Sequence, residues 1–133
     1  MNQTEGLTLW HQFVENRDFS RLDDFIAEDA VLHSPVVWTP QKGKQIVSMY
    51  LIAAGNIIAN KHFKYVREIS NNQHTILEFA TEIDGISVEG VDMLTFNDEG
   101  KLIDIKVMVR PLKALNIVHQ KMGEFLMKMK NSK

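Results

Sequence analysis

Between His74 and Arg110 the chain reads HTILEFATEIDGISVEGVDMLTFNDEGKLIDIKVMVR, and this stretch decides the architecture. Apolar and polar residues alternate along it at a period of two, the spacing of half-buried strands. Asp84-Gly85 divides the first two runs. Both positions of a two-residue hairpin turn need positive φ, which this pair tolerates. Asn97-Asp98-Glu99-Gly100 makes a second tight turn, and Pro111 stops the last run. The expected strands are His74 to Ile83, Ile86 to Phe96 and Lys101 to Arg110. The first turn pairs Ile83 with Ile86, Thr81 with Val88, Phe79 with Gly90 and Leu77 with Asp92. The second is expected to pair Asp92 with Ile105 and Leu94 with Ile103.

That register sorts the side chains between two faces. One face carries Leu77, Phe79, Thr81, Ile83, Ile86, Val88, Leu94, Phe96, Ile103, Ile105, Val107 and Val109, with Asp92 in its middle. The other carries an uncharged patch of Ala80, Val91, Met93, Thr95 and Met108, rimmed by Glu78, Glu82, Glu89, Lys106 and Arg110. A slip of one residue would turn Asp92 outward but expose the whole apolar set. Desolvation favours the neutral form of a lone carboxyl on an apolar face, so the pKa of Asp92 should rise. Such a group donates a hydrogen bond to a ligand oxygen or acts as an acid. The alternative is a structural Asp that bonds a helix-end or loop amide.

Working outward, His62 to Ser70 reads as a further strand, turned by Asn71-Asn72. Gly43 to Ala59 reads as a helix with the stripe Ile46, Val47, Tyr50, Leu51, Ala54, Ile57 and Ile58. Before it, Ala30 to Ser34 is a short extended run halted by Pro35, and Pro40 closes the loop. Thr4 to Asn16 is the first helix, with Thr4 as cap, and Ser20 caps a short second one. The tail, about 112–130, is an amphipathic helix with the stripe Leu115, Val118, Met122, Phe125 and Met129. Its lysines would suit a membrane surface, but packing over the sheet or against a partner subunit is the plainer reading. Three helices, a run of antiparallel strands and a closing helix make one α+β domain over residues 1–133.

The bulk composition narrows the function. At 133 residues the chain has the size of one domain with its own core. It has no cysteine, which excludes disulfides and thiolate metal sites and fits the cytoplasm. A net charge of -2 offers no basic excess for nucleic acid. The start, Met1-Asn2-Gln3-Thr4-Glu5, does not read as a signal peptide. No run approaches the ~18 apolar residues of a membrane span.

Other candidates lie near the pocket face. His33 and Ser34 end the first strand, and alternation lets only one of them face the pocket. Trp38, Tyr50, Phe63 and Tyr65 can line a cavity or simply fill the core. Arg110 has the phase of the opposite face. The five histidines, His11, His33, His62, His74 and His119, show no paired ligand spacing, so no metal is expected. No nucleophile elbow, phosphate loop or dinucleotide fingerprint occurs, and no cofactor is implied.

The order of elements resembles the nuclear-transport-factor-2-like superfamily, in particular its SnoaL-like branch. The likeness covers nearly the whole chain and rests on three segments. They are residues 13–18 (FVENRD), residues 25–35 (FIAEDAVLHSP), and above all residues 89–102 (EGVDMLTFNDEGKL). Gly43 opens the third helix as in the family. The resemblance implies a cone-shaped, curved antiparallel sheet packed on three N-terminal helices, with a C-terminal helix. It also implies a homodimer, since the superfamily often pairs through its outer sheet face.

Fold does not decide activity here. The ketosteroid isomerases of the superfamily place an oxyanion-hole carboxylic acid at the position of Asp92. Their catalytic base falls on Ser34 and their oxyanion tyrosine on Phe13, so one matching position of three is kept. The epoxide hydrolases would want Arg and Asp where Leu77-Glu78 stands, and an Asp where Val107 stands. The polyketide cyclases would want an acid near Val107 or Val109. The expected function is therefore a pocket for a small apolar ligand bearing an oxygen, with Asp92 as acid or donor and His33 as base. Phe13, Ser34, Trp38, Tyr50, Phe63, Leu77, Phe79, Val107 and Val109 would line it. The rival is a non-catalytic interaction module that uses the outer sheet face.

Overall fold

The computed structural model describes residues 2–131. Helix α1 (Gln3–Asn16) starts from Asn2, whose side chain accepts the Glu5 N–H at 3.0 Å, so the cap lies two residues before the expected Thr4. A turn of 3-10 helix at Phe19–Arg21, capped by Asp18, leads into α2 (Leu22–Phe25), which has no side-chain cap, from Ser20 or otherwise. Strand β1 (Ile26–His33) begins four residues earlier than expected. Strand β2 (Gln41–Lys42) forms inside what reads as loop. Then come α3 (Lys44–Ile57), β3 (Lys64–Ser70), β4 (His74–Ile83), β5 (Ile86–Phe96), β6 (Leu102–Arg110) and α4 (Leu112–Asn131).

The six strands form one open sheet in the order β2-β1-β6-β5-β4-β3. The β4–β5 hairpin has the expected register, with Leu77 opposite Asp92, and both Asp84 and Gly85 adopt positive φ. The β5–β6 pairing is two residues off: Asp92 faces Val107 and Leu94 faces Ile105. An even offset leaves every side chain from Asp104 onward on its expected face. An irregularity beyond Thr95 then inverts the strand's start, so Leu102 is fully buried and Ile103 only partly. The sheet is mixed rather than wholly antiparallel, because β1 runs parallel to β6. Parallel pairing needs a distant partner that no turn announces.

The helices pack against the inner face of the sheet. Phe13 of α1, Phe25 of α2 and Leu51 of α3 join Leu77, Leu94 and Ile105 in the main core. A second cluster joins Phe79, Ile83 and Val88 to Ala114 and Val118 of α4. Among the described residues no helix is long and apolar enough to cross a membrane.

Candidate functional site

Alternation along β5 turns Asp92 inward, and the neighbouring strands set Leu77 and Val107 beside it. Only 8 % of the residue remains accessible, in a setting where the other buried polar side chains among the described residues are Thr75 and Thr81. Those two have hydroxyl or amide partners at 2.9 and 2.8 Å. Asp92 has a longer contact: the Tyr65 hydroxyl donates to its Oδ2 at 3.4 Å. The Trp10 indole N–H in turn donates to the Tyr65 oxygen at 3.0 Å. This makes a relay of α1, β3 and β5, directed inward to one carboxyl.

Burial raises the Asp92 pKa to about 7, against a smaller lowering from the Tyr65 hydrogen bond. The expected rise therefore has the expected cause. Burial also pushes the Tyr65 phenol well above its ordinary range, with the Asp92 charge adding to it. The phenol therefore stays protonated and remains a donor, while Asp92 is divided between acid and carboxylate near neutral pH.

Aromatic rings brace the surroundings. Phe63 stands edge-on to Tyr65 at 4.9 Å and stacks on Phe79 at 5.3 Å. Trp10 meets Phe13 edge-on at 5.5 Å. Gly90 lets the Phe79 ring lie across β5, since a Cβ there would come within 2.3 Å of it. Between these groups lies a cavity of ≈ 210 Å³. Of the expected lining residues, Phe13, Ser34, Tyr50, Phe63, Phe79 and Val107 reach it along with Asp92. Leu77 is fully buried in the core behind the wall, and Val109 packs in the second cluster. Trp38 is 98 % exposed and does not line the cavity. The Ser34 hydroxyl accepts the Val36 N–H at 3.2 Å, and Pro35, Val36 and Val37 of that turn line the cavity beside Ser34.

His33 is not brought to Asp92. It points to the opposite side of β1, where its Nε2 lies 3.0 Å from Asp104 Oδ2. Ser34, the next residue, faces inward, as strict alternation requires. The histidine among the cavity-lining residues is instead His119 of α4, which is otherwise exposed to solvent. Only its spacing is legible in the sequence. His119, Met122, Gly123 and Leu126 recur at i, i+3, i+4 and i+7, one helical face, and all four line the cavity. Trp10 likewise shows in the sequence only the helical spacing it shares with Leu9, Phe13 and Val14. Among the described residues no group of three or more His, Asp or Glu side chains is arranged to hold a metal ion.

A model of the SnoaL-like domain matches residues 7–105. No curated protein matches the sequence. Among solved structures, a steroid delta-isomerase from Pseudomonas aeruginosa is 32% identical and superposes with a TM-score of 0.91 over 96% of this chain and 93% of its own. An uncharacterized bacterial protein with a cystatin-like fold from Silicibacter pomeroyi is 24% identical, with a TM-score of 0.84 over 92% and 85%. An epoxide hydrolase/cyclase-like enzyme of pyran ring formation in the polyether salinomycin is 16% identical, with a TM-score of 0.65 over 83% and 92%. The last two likenesses speak for the fold alone.

Proposed function

Since the chain belongs to the SnoaL-like domain family, we propose that it binds a compact, mostly apolar molecule bearing one oxygen and moves a proton on it. The observation that carries this reading is the buried Asp92, held near pKa 7 at the end of the Trp10–Tyr65 relay. Its protonated form donates a hydrogen bond to a carbonyl oxygen and stabilises the negative charge that grows there when a neighbouring carbon loses a proton. His119, not His33, is the base in this scheme, because it shares the cavity with Asp92. It takes the proton from the carbon and returns it to the same carbon or to a conjugated one. Isomerisation and aldol-type cyclisation next to a carbonyl begin with this step, and hydration of a conjugated double bond ends with its reverse, the enolate taking up a proton after water has added.

The likeness to a steroid delta-isomerase supports proton transfer beside a carbonyl. The inner cavity by itself holds a smaller body than a steroid. An apolar cavity of roughly 150 Å³ takes one benzene. A space of ≈ 210 Å³ therefore suits one ring with a short arm, well short of four fused rings. Hydrogen–deuterium exchange at the α-carbon of cyclopentenone in heavy water tests the scheme. The protein should accelerate it, and Asp92→Asn and His119→Gln should each slow it by about a hundredfold, the lower range for a positioned acid or base. No acceleration, with no change in the Asp92 carboxyl carbon resonance on adding the ketone, would sink the reading.

The outer sheet face supports a second, compatible proposal, a homodimer. Val66, Ile69, Ile76 and Met108 are exposed there. Ile69 lies opposite Ile76, and Ile76 opposite Met93, so they form a continuous apolar row across β3, β4 and β5. Glu89 pairs with Arg110 and Glu78 with Arg67 within the chain, leaving the row itself as the attractive element. Sedimentation equilibrium should give a dimer that Met93→Lys dissociates. The compartment we assign is the cytoplasm, which suits a cysteine-free chain. Cell fractionation checks that assignment.

A further inference from the structure

The inner cavity does not end at its own walls. Tyr50, Gly123 and Leu126 line it and also line an open groove of ≈ 820 Å³ between the start of α3 and the last turns of α4. The two spaces meet at these three residues, and their chemistry differs. The inner one is apolar around Asp92. The groove carries Lys42, Lys44 and Lys130 against one acid, Glu28, which lies 3.5 Å from Lys44. Two positive charges remain uncompensated in the groove lining.

Gly123 gives independent support. Glycine is the poorest helix former after proline, so a glycine inside a helix calls for a reason. Gly6, Gly55, Gly90 and Gly100 have one: a Cβ at any of them would collide with a neighbouring group. Gly43 and Gly85 have another, a positive φ. Gly123 has neither, and a Cβ there would meet nothing within 4 Å. The missing side chain leaves empty the space where the cavity opens into the groove.

We propose that cavity and groove form one binding site for an amphipathic carboxylic acid. Its apolar body occupies the inner cavity, it passes between Tyr50 and Gly123, and its carboxylate lies among Lys42, Lys44 and Lys130. The groove lining offers lysine point charges and no arginine fork, so it attracts an anionic head by charge rather than by bidentate geometry. The inference rests on the inner cavity being a ligand site, as proposed above, and it extends the compact molecule held there by an arm that carries a carboxylate into the groove.

Calorimetric titration with decanoate, decanol and cyclopentenone tests it. Decanoate should bind about tenfold more tightly than decanol, a modest return for one charge-assisted contact. High salt should shrink that advantage. The double variant Lys42→Ala/Lys130→Ala should erase it. Gly123→Leu should weaken decanoate about tenfold by filling the doorway. Gly123→Ala, which only adds a methyl to open space, should fold and raise the melting temperature, showing that the position tolerates a side chain. Equal affinity for decanoate and decanol, or an unchanged advantage in the lysine variant, overturns the inference. If cyclopentenone still binds at Asp92 in that case, the acid–base reading stands alone. If neither probe binds, both fall.

Discussion

Asp92 and Asp104 sit on neighbouring strands of one sheet and live in opposite surroundings. Asp104 faces out, keeps 39% of its side chain in solvent and lies beside the His33 imidazole. Asp92 faces in and has one long hydrogen bond from a phenol. Two aspartates thus become different reagents through strand parity alone. The outer one is a solvated surface anion. The inner one is an acid that titrates near neutrality, and the fold carries the cost of keeping it there.

The largest expected effect follows from that cost. Asp92 has a folded pKa of about 7 and an ordinary value near 3.8 in the unfolded chain. Below pH 4 both states hold the proton and the group is neutral to stability. As pH rises from 4 to 7 the unfolded chain ionises first, so folding is progressively disfavoured. Three pH units at about 1.4 kcal/mol each give about 4 kcal/mol. Denaturant titrations of the wild type and Asp92→Asn should therefore diverge by that order across this window, with the wild type losing ground. A difference that stays flat with pH would break the contrast between the two aspartates.

Tyr65→Phe comes next. It removes the donor to Asp92 and leaves the Trp10 N–H without its partner. A loss of about 1–3 kcal/mol is expected for a buried group left unsatisfied. Carbon-13 titration should show the Asp92 pKa rising further, because the hydrogen bond that lowers it is gone. The smallest effect belongs to Asp104→Asn. A partly exposed pair with His33 contributes less than about 1 kcal/mol. Salt should reduce even that, whereas salt should hardly touch Asp92.

The same two faces mark what was legible in the chain. Asp84-Gly85 defined a turn, the turn defined a register, and the register placed Asp92 inside. Parity survives an even error, so the two-residue offset between β5 and β6 did not matter to the site. It does not survive a bulge, and Leu102 rather than Ile103 faces the core. The chemistry of His33 suits a base, but its phase on β1 turns it to the outer side, beside Asp104. Trp38 lies in a loop, where no period fixes the side that a residue faces. The share of α4 in the cavity was hidden for another reason. Its hydrophobic stripe names a face, but only the packed molecule shows that His119 and Gly123 border that face where the sheet leaves a gap. The parallel docking of β1 on β6 lies between residues some 70 apart in sequence, beyond any local pattern.

The chain's two tryptophans stand at opposite extremes of exposure. Trp10 is 3% accessible and bonded through Tyr65 to Asp92, while Trp38 is 98% accessible. Their fluorescence should separate without any label. Iodide should quench the Trp38 emission and leave a component from Trp10. That residual component should change as Asp92 loses its proton, and again when a molecule enters the cavity that Trp10 helps to line. The relay that holds the acid is thus also an optical wire, and occupancy of the site can be read from the protein's own light.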